Sequence, residues 1–231
     1  MFPETAIVTG GSSGIGAAIA ARLSDEGCQV RVLDLGQGFD VSDPHAWAAI
    51  GPVDLACLNA GVTTGEGDLS KLTDSSYRRI LCANVDGVVF GARRMSQVMS
   101  PGSAIVATAS LAGLTPLPTD PIYSLTKHAV VGFVRSMAHQ FESRGIRICA
   151  VAPGIVDTPL IDQTRAELEE AGFPLLDADE VARCVVHLAR EGQPGEVWAI
   201  QAGREPEPFR FANVPGARHR SGESAGRPPA H

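Results

Sequence analysis

The stretch TAIVTGGSSGIGAAIAARLSDEGCQVRVLD, residues 5–34, decides the fold of this chain. It opens with a short apolar run typical of a buried strand, and a glycine turn, GGSSGIG, follows. Apolar residues then recur at helical spacing from Ile15 to Leu23, and Gly27 ends the helix before a second apolar run over residues 29–34. The order strand, glycine turn, helix, strand predicts a βαβ unit and therefore an α/β fold built on a parallel sheet.

The glycine turn has the features of a phosphate-binding loop. Gly10, Gly14 and Gly16 let the backbone turn tightly and approach a pyrophosphate, which the free N–H groups and the dipole of the following helix then bind. Their spacing is GxxxGxG, which differs from the GxGxxG of many other dinucleotide-binding proteins. The turn therefore predicts a dinucleotide site where the first strand meets the first helix.

Asp34 closes the second strand, at the edge of the sheet where the ribose of a dinucleotide binds in such folds. A carboxylate there accepts hydrogen bonds from a ribose 2′-hydroxyl and repels a 2′-phosphate. Arg31 belongs to the same strand but lies three residues earlier, and so on its opposite face. Asp34 therefore favours NAD over NADP as the cofactor.

A second stretch, SLAGLTPLPTDPIYSLTK over residues 110–127, carries the candidate chemistry. Tyr123 and Lys127 are four residues apart in an apolar helical pattern that follows Pro121, so both lie on one face of that helix. An ammonium beside a phenol favours the phenolate, so the pair is a candidate general acid/base working nearer neutral pH than a free phenol. Ser110 ends the apolar run AIVATAS, a predicted buried strand, and its hydroxyl is therefore expected at the ligand-binding edge of the sheet.

A serine, a tyrosine thirteen residues later and a lysine four beyond it resemble the signature of the short-chain dehydrogenases/reductases. TGGSSGIG resembles that family's TGxxxGIG, Asn59-Ala60-Gly61 resembles its NAG motif, and PGIVDT at residues 153–158 resembles its PGxVxT. The resemblance implies a doubly wound, mostly parallel, Rossmann-like sheet of about seven strands with helices on both faces.

The resemblance also implies which residues form the site. The implied catalytic residues are Asn84, Ser110, Tyr123 and Lys127. The implied cofactor-binding residues are Gly10, Ser12, Ser13, Gly14, Ile15, Gly16, Asp34, Asp40, Val41, Asn59, Ala60, Gly61, Tyr123, Lys127, Pro153, Gly154, Val156 and Thr158. No metal ligands are expected.

Roles follow from the same resemblance. Lys127 is expected to lower the pKa of the phenol and to bind the nicotinamide ribose. Asn84 is expected to kink its helix and to help hold a water that links Lys127 to solvent. The backbone of residues 153–158 and the Thr158 hydroxyl are expected to position the nicotinamide carboxamide. NADP-using relatives often carry a basic residue at the positions of Ser13 or Leu35, and neither is basic here, so NAD is the expected cofactor.

The segment after Asp34 departs from the family pattern. Only residues 35–38 separate Asp34 from Phe39, whereas parallel strands need a crossover of about a dozen residues or more. We expect the helix between strands 2 and 3 to be missing, and the third strand to be a stub around Phe39, Asp40 and Val41 reached by a glycine loop. In the family an Asp-Val pair like Asp40-Val41 lies beside the adenine ring.

The remaining elements are predicted from apolar periodicity and end signals. Strands are expected over residues 53–58, 147–151 and 196–202, and helices over residues 43–50, 73–99, 122–143 and 179–190, with Asp43 and Asp179 as N-caps. Asn84 is a poor helix former inside the second of these helices. Residues 159–176 lack a clear strand and are expected to form a mobile substrate lid.

Composition places the chain among globular α/β proteins. We expect one cofactor-binding and catalytic domain over residues 1–203 and a Pro/Arg/Gly-rich tail over residues 204–231, disordered at its end, unless Phe209 and Phe211 fold back over a pocket or a neighbouring subunit. A net charge of −7 argues against a nucleic-acid partner. No apolar run is long enough for a membrane span, so a cytoplasmic location is expected. The five cysteines have no metal-ligand spacing, which favours buried, reduced thiols.

The function expected from these features is an NAD-dependent oxidoreductase that interconverts a secondary alcohol and a ketone. Two alternatives stay open: an NADPH-dependent carbonyl reductase, and a regulator that senses NAD(H) without catalysis. Apolar or small residues predict a neutral, fairly apolar substrate, and the pocket walls are expected to be Leu111, Gly113, Leu114, Leu117, Leu160 and Ile161. A homodimer or homotetramer is implied by the resemblance, through the two long helices, with Val131 and Met137 on an outer face.

Overall fold

The computed structural model describes residues 2–218, 220–221 and 224. Over these residues the strands form a single seven-stranded sheet in the order β2-β1-β3-β4-β5-β6-β7. The parallel strands are β1 (Thr5–Thr9), β2 (Gln29–Leu33), β3 (Leu55–Leu58), β4 (Ala104–Thr108), β5 (Arg147–Pro153) and β6 (Val197–Ile200), and β7 (Glu207–Pro208) pairs antiparallel with β6. The predicted mostly parallel, Rossmann-like sheet is confirmed.

Helices cover both faces of the sheet, as a doubly wound fold requires. They are α1 (Gly14–Asp25), α2 (Pro44–Ala48), α3 (Asp74–Leu81), α4 (Gly87–Val98), α5 (Pro121–Glu142), α6 (Arg165–Glu170) and α7 (Ala178–Glu191). One core joins the sheet to α2, α4 and α5, and a second core on the opposite face joins it to α1 and α7. Every residue of β3 and β4 is buried, because both faces of these central strands are covered.

The connection that follows β2 is as short as the sequence predicts, but it takes a different form. A 3₁₀ turn, Leu35–Gln37, follows Asp34, and the Phe39 N–H returns to the Asp34 carbonyl at 3.0 Å. Residues 39–41, which the structure describes in full, do not form the expected stub strand. Since this tight return leaves no extended chain to lie beside β2, β2 itself is the edge of the sheet.

Residues 39–48 instead pack over the sheet as a small cluster around Trp47. The indole N–H donates a 2.8 Å hydrogen bond to the Val41 carbonyl, and the Phe39 ring meets the indole edge-on at 5.1 Å between centroids. Asp43 caps α2 by accepting a 2.8 Å hydrogen bond from the His45 N–H, as predicted. Packing of the Trp47 and Phe39 rings therefore holds this segment in place where the crossover helix is missing.

Two further predictions differ from the structure. The predicted helix over residues 73–99 is divided by a π-helical segment, Cys82–Asp86, into α3 and α4. The N-cap of α7 is Asp177, which forms a capping box with Glu180, and not Asp179. Asp179 lies in the first turn of α7 and forms an ion pair with Arg22 of α1 at 2.6 Å.

The chain that follows residue 203 still contributes to the sheet, through β7. The Phe209 N–H donates a 2.7 Å hydrogen bond to the Val197 carbonyl, and Arg135 of α5 lies 3.6 Å above the Phe211 ring. Residues 204–211 thus fold back on the sheet and on α5. The predicted disorder of the last residues falls mainly outside the described part of the chain. No helix among the described residues is long and apolar enough to span a membrane.

Candidate active site

Ser110 and Tyr123 meet at the carboxyl edge of β4. Ser110 lies two residues beyond the strand and accepts a 3.1 Å hydrogen bond from the Ala112 N–H, which starts a 3₁₀ turn. Tyr123 lies in the first turn of α5, and its phenol is close enough to the Ser110 hydroxyl for that hydroxyl to lower the pKa of the phenol. The Ser110 hydroxyl also lies 3.4 Å from the Pro153 carbonyl of β5. The structure therefore brings the serine and the phenol to the same edge of the sheet, and their catalytic roles stay a prediction.

The phenol of Tyr123 is poised as an acid at neutral pH. Burial raises its pKa to about 12, the Ser110 hydroxyl lowers it, and the negative charge of Asp120 raises it again. The expectation that Lys127 brings this pKa down towards neutrality is not met in the structure, because loss of solvation outweighs every favourable partner. Tyr123 accordingly stays protonated near neutral pH.

Lys127 is buried one turn along α5, at 3 % exposure. Its ammonium donates a 2.8 Å hydrogen bond to the Thr108 carbonyl and lies 5.5 Å from the centroid of the Tyr123 ring. Burial lowers its pKa to about 8. A Cβ added at Gly61 would lie 3.4 Å from this ammonium, so the NAG segment reaches the lysine directly.

Asn84 is fully buried in the π-helical segment between α3 and α4. Its side-chain oxygen accepts a 2.8 Å hydrogen bond from the Val62 N–H, and its amide donates to the Val62 carbonyl at 2.9 Å and to the Thr126 hydroxyl at 3.0 Å. The expected helix distortion is thus present as a π-bulge, a feature often found at functional sites. Asn84 fastens the loop after Gly61 to α5.

The glycine turn lies at the same edge of the sheet. Gly10 and Gly14 have φ of +63° and +50°, a region that glycine adopts without strain. A Cβ at Gly16 would lie 2.1 Å from the Gly10 carbonyl oxygen, so only glycine fits there. The Ser13 side chain makes no capping hydrogen bond, which leaves the start of α1 without a side-chain acceptor. This open helix terminus fits the pyrophosphate of a dinucleotide.

Asp34 stands beside the glycine turn because β1 and β2 pair in register, from Thr5↔Gln29 to Thr9↔Leu33. Its carboxylate accepts hydrogen bonds from the Gly36 N–H at 3.0 Å and the Ser12 N–H at 3.2 Å. The carboxylate is half-buried, and neighbouring Leu35 is 73 % exposed. The arrangement fits a ribose at this end of the glycine turn.

The other predicted cofactor-binding residues differ in exposure, and some of their side chains are packed inside the protein. Asp40 is exposed and accepts 2.8 Å hydrogen bonds from the N–H and hydroxyl of Ser42, while Val41 is buried against Gly87. The side chains of Ile15 and Val156 pack in the core beneath α1 and α7. A contact between their side chains and a cofactor is therefore not supported, although their backbones lie in the two loops.

The NAG segment and the PG segment frame the site from two sides. Asn59 and Ala60 donate backbone hydrogen bonds to the Thr9 hydroxyl at 2.8 and 3.0 Å, and the Asn59 side chain accepts one from the Thr108 hydroxyl at 3.1 Å. Buried Thr158 packs directly on Gly14, since a Cβ at Gly14 would lie 3.0 Å from the threonine methyl. The predicted motifs thus lie together at one edge of the sheet.

Comparison with known proteins identifies the family. A family model described as enoyl-(acyl carrier protein) reductase matches residues 40–197. A cis-4-hydroxycyclohexanecarboxylate dehydrogenase of Sinomonas cyclohexanicum is 31 % identical over 234 residues, which cover 86 % of this chain and 94 % of the relative. The chain belongs to the short-chain dehydrogenase/reductase family. The predicted class, an NAD(P)-dependent oxidoreductase acting on CH–OH donors, is confirmed at the level of the family.

Two other similar proteins add to this comparison. A cyclohexanol dehydrogenase of Acinetobacter sp. (strain SE19) is 29 % identical over 229 residues, covering 86 % of each chain. The crystal structure of BdcA in complex with NADPH is 26 % identical and matches with a TM-score of 0.78, covering 87 % of this chain and 94 % of that one. This chain thus shares the fold of BdcA over most of its length.

Sequence reasoning missed Asp120 as a site residue. Asp120 is buried beneath the start of α5 and caps it, with Pro121 at the first helical position. The same Asp-Pro signal marked Asp43 as the N-cap of α2, and would have marked Asp120 also. The partners of Asp120 on a distant loop had no signal in the sequence.

The predicted pocket walls hold only in part. Leu111 lies at the site, since its Cδ1 would be 3.4 Å from a Cβ at Gly154. Gly113 does not line the cleft, because it packs against the backbone of Lys127. Leu160 is 44 % exposed on a 3₁₀ turn, Pro159–Ile161, that begins the expected lid.

All five cysteines are free thiols, and all are buried except half-buried Cys82.

Proposed function

We propose that this protein is an NAD-dependent dehydrogenase that interconverts a secondary alcohol and a ketone through Ser110, Tyr123 and Lys127. The observation that carries the proposal is the position of the Tyr123 phenol beside the Ser110 hydroxyl at the carboxyl edge of β4, with a buried lysine one helical turn beyond. This group shares one edge of the sheet with the glycine turn and Asp34. Interconversion of an alcohol and a ketone requires a group that transfers the hydroxyl proton next to a bound nicotinamide, and these three residues beside a dinucleotide site can meet that requirement.

The nicotinamide cofactor supplies the hydride chemistry, which no side chain can perform. In the reducing direction the substrate carbonyl accepts a hydrogen bond from the Ser110 hydroxyl, and protonated Tyr123 donates the proton that completes the alcohol. A phenol with a pKa of about 12 is fully protonated at neutral pH, so this direction needs no prior ionisation. In the oxidising direction Tyr123 must first lose its proton.

The choice of NAD rests on Asp34. Its carboxylate lies next to the glycine turn, where it accepts hydrogen bonds from the Ser12 and Gly36 N–H groups. A carboxylate at this position can also accept hydrogen bonds from ribose hydroxyls, and it repels a 2′-phosphate. NADPH is the second candidate, because BdcA, 26 % identical to this chain, is described in complex with NADPH. Separate dissociation constants for NADH and NADPH decide between them, and tighter binding of NADPH contradicts the assignment.

The proposed substrate is a neutral, fairly apolar cyclic alcohol or ketone. Two relatives are named for ring alcohols, cyclohexanol, which is neutral, and a hydroxycyclohexanecarboxylate, whose carboxylate is charged, so they support the cyclic part of the proposal. Apolar Leu111, which lies near Gly154, supports the apolar part. Arg165, which begins α6 close to the cleft, is held by Asp157 and Asp162 and by the Thr158 carbonyl. Its engagement argues against its use as an anchor for a phosphorylated substrate.

A turnover screen tests the function. The purified protein is incubated with NAD and a panel of cyclic and open-chain secondary alcohols, and NADH formation is followed by absorbance. Tyr123→Phe is the companion variant, since it removes the hydroxyl and keeps the ring. We expect turnover of a cyclic alcohol to be lost in this variant while NAD binds within about 2-fold of wild type, a difference below ~0.5 kcal/mol. Full turnover by the variant refutes the assigned role.

A homodimer or homotetramer is proposed as well, with α3, α4 and α5 at the contact, since α3 and α4 together cover the predicted helix over residues 73–99. The predicted outer face needs correction, because Val131 is only 4 % exposed and belongs to the core, and Met137 packs against the same core. The exposed apolar side chains on these helices are Leu125 and Tyr77. Light scattering coupled to gel filtration measures the state. A cytoplasmic location stays a prediction.

A further inference from the structure

Asp120 is a buried carboxylate with an unusually large set of hydrogen-bond donors. It is 4 % exposed. One carboxylate oxygen accepts from the Thr63 hydroxyl and from the N–H groups of Thr64 and Gly65 at 2.8 and 2.9 Å. The other accepts from the Thr64 hydroxyl at 2.6 Å and from the Tyr123 N–H at 2.9 Å. A buried charge of this kind is tolerated only when such donors replace the lost water.

The donors keep Asp120 ionised despite its burial. Burial raises the pKa of the carboxyl, but the hydroxyls of Thr63 and Thr64 and the N–H groups of Tyr123 and Gly65 lower it further, so that it lies below its usual range. Charge-assisted hydrogen bonds are about twice as strong as neutral ones. The loop over residues 63–65 is therefore held firmly to the start of α5.

This attachment joins two parts of the proposed site that are distant in sequence. On one side, the chain just before the loop is held by Asn84, which binds both backbone groups of Val62. On the other side, Asp120 caps α5 three residues before Tyr123 and through it sets the first turn that carries the phenol. The loop also reaches the expected lid, since a Cβ at Gly65 would lie 3.1 Å from the side-chain oxygen of Gln163.

We propose that Asp120 is a positioning residue of the reaction: by anchoring the 63–65 loop to the first turn of α5, it holds the Tyr123 phenol against Ser110 and sets the mouth of the substrate cleft. The inference rests on the proposed function, because it assumes that Tyr123 moves the proton. Asp120 does not itself need to contact the substrate, since its oxygens are occupied by protein donors.

Its charge has a second effect, on the proton affinity of Tyr123. The Asp120 carboxylate raises the pKa of the phenol. The cations nearby are Lys127, 5.5 Å from the Tyr123 ring, and Arg79 of α3, which donates a 2.8 Å hydrogen bond to the Thr63 carbonyl. On the loop, Glu66 directs its carboxylate to the Asp68 N–H at 2.8 Å. Removal of the Asp120 charge leaves these groups in place and makes the phenol easier to ionise.

The deciding variant is Asp120→Asn, compared with Asp54→Asn. Asp54 is a matched control, because its carboxylate also accepts several hydrogen bonds, from the N–H of Glu4 and from the N–H and hydroxyl of Thr5, but at the opposite edge of the sheet. We measure the Tm, the Kd for NAD, and the pH profile of kcat/KM for alcohol oxidation. An amide oxygen cannot satisfy five donors, and its NH₂ opposes them.

Three results are expected for Asp120→Asn, and one for Asp54→Asn, if the inference holds. The value of kcat/KM falls by about 10-fold or more, as expected for the loss of about 1.4 kcal/mol of transition-state stabilisation. The oxidation profile of the variant bends towards its plateau at a lower pH than that of wild type, because the phenol ionises more easily. The Kd for NAD stays within about 2-fold, because the glycine turn is not touched. Asp54→Asn lowers only the Tm.

A merely structural role gives a different pattern. If Asp120→Asn lowers the Tm and kcat/KM without moving the pH profile, or leaves kcat/KM within 2-fold of wild type, the inference is overturned. Should the variant not fold, the combined change Thr63→Val and Thr64→Val decides. It removes two hydroxyl donors and keeps the charge. Loss of kcat/KM with an unchanged Kd for NAD then supports the inference, and unchanged kcat/KM overturns it.

Tyr123→Phe, assayed in parallel, separates the two proposals. If it abolishes turnover while Asp120→Asn leaves the pH profile in place, only the role of Asp120 fails. If Tyr123→Phe retains full turnover, both proposals fail.

Discussion

The Lys127 ammonium lies 5.5 Å from the centroid of the Tyr123 ring, and both groups are buried enough to favour their neutral forms. The pKa of Lys127 falls to about 8 and that of Tyr123 rises to about 12. Between these values an uncharged amine stands beside an uncharged phenol. The chemistry of the site is therefore set by the cost of desolvation, which proton loss from Lys127 relieves.

Burial of the Lys127 ammonium predicts that the free energy of unfolding depends on pH, and Lys127→Met should remove this dependence. Below pH 8 the folded protein must hold a buried ammonium, whereas above pH 10.5 the amine is neutral in both states. Stability is therefore gained as pH rises through this window and lost as pH falls. Relative to Lys127→Met, the wild-type free energy of unfolding should rise by up to about 3 kcal/mol from pH 7 to pH 10.5, at about 1.36 kcal/mol per pKa unit.

Urea denaturation at several pH values measures this difference. Lys71→Met is the control, since Lys71 is a surface residue whose side chain is 69 % exposed. Its difference from wild type should not vary with pH across the same window. Parallel pH curves for wild type and Lys127→Met would mean that the buried amine does not titrate as described.

The phenol predicts the pH dependence of turnover. Because the pKa of Tyr123 is about 12, the fraction of phenolate increases about 10-fold per pH unit below that value. For alcohol oxidation, log kcat/KM should therefore rise with a slope near one between about pH 7 and 9. Ketone reduction should be nearly flat over the same range. A plateau of the oxidation rate below pH 8 is the outcome that contradicts this, and initial-rate measurements in both directions detect it.

Two glycine-to-alanine changes of opposite effect test the glycine turn. A Cβ at Gly16 would lie 2.1 Å from the Gly10 carbonyl oxygen, so Gly16→Ala should cost about 1–3 kcal/mol of stability and abolish NAD binding. Gly132, in α5, has no atom within 4 Å of an added Cβ. Gly132→Ala should therefore stabilise the protein by about 0.5–1 kcal/mol, because alanine is the better helix former.

Thermal unfolding and NAD titration of both variants check this pair. At this chain length, 1 kcal/mol corresponds to a shift in Tm of about 2–4 °C. Equal shifts of the same sign would show that the close approach of Gly16 to Gly10 is not a constraint.

Asp34→Ser tests the choice of cofactor. Serine keeps a side-chain acceptor for the Gly36 N–H and removes the negative charge. We expect the Kd for NAD to weaken by about 10-fold and the preference over NADP to fall by about 10–100-fold, which corresponds to about 1.4–2.7 kcal/mol. Intrinsic-fluorescence titration measures both constants.

Asp43→Ser is the control for that change. Asp43 likewise accepts a hydrogen bond from the N–H two residues ahead, at 2.8 Å, but it caps α2. Its replacement should lower stability and leave both cofactor constants within about 2-fold of wild type. An equal loss of NAD affinity in both variants would assign the effect to general charge and not to the ribose.

Local constraints made much of the site predictable. Tyr123 and Lys127 had to share a helix face because they are four residues apart, and the βαβ unit had to bring Gly10 and Asp34 to one edge because parallel strands end together. The absence of a helix after Asp34 followed from chain length alone. The π-helical form of the segment at Asn84 did not follow, since it depends on the backbone of Val62 in a neighbouring loop.

By itself the sequence determined the βαβ unit that opens the chain, the place of the glycine turn and the spacing of the serine, tyrosine and lysine, because each depends on neighbours along the chain. Only the tertiary structure decided the protonation of Tyr123 and Lys127, since their pKa values follow from burial among distant residues. It also decided the role proposed for Asp120, whose donors on the 63–65 loop are more than fifty residues away along the chain. Proximity in space, on which desolvation and hydrogen bonding depend, is a property of the folded chain.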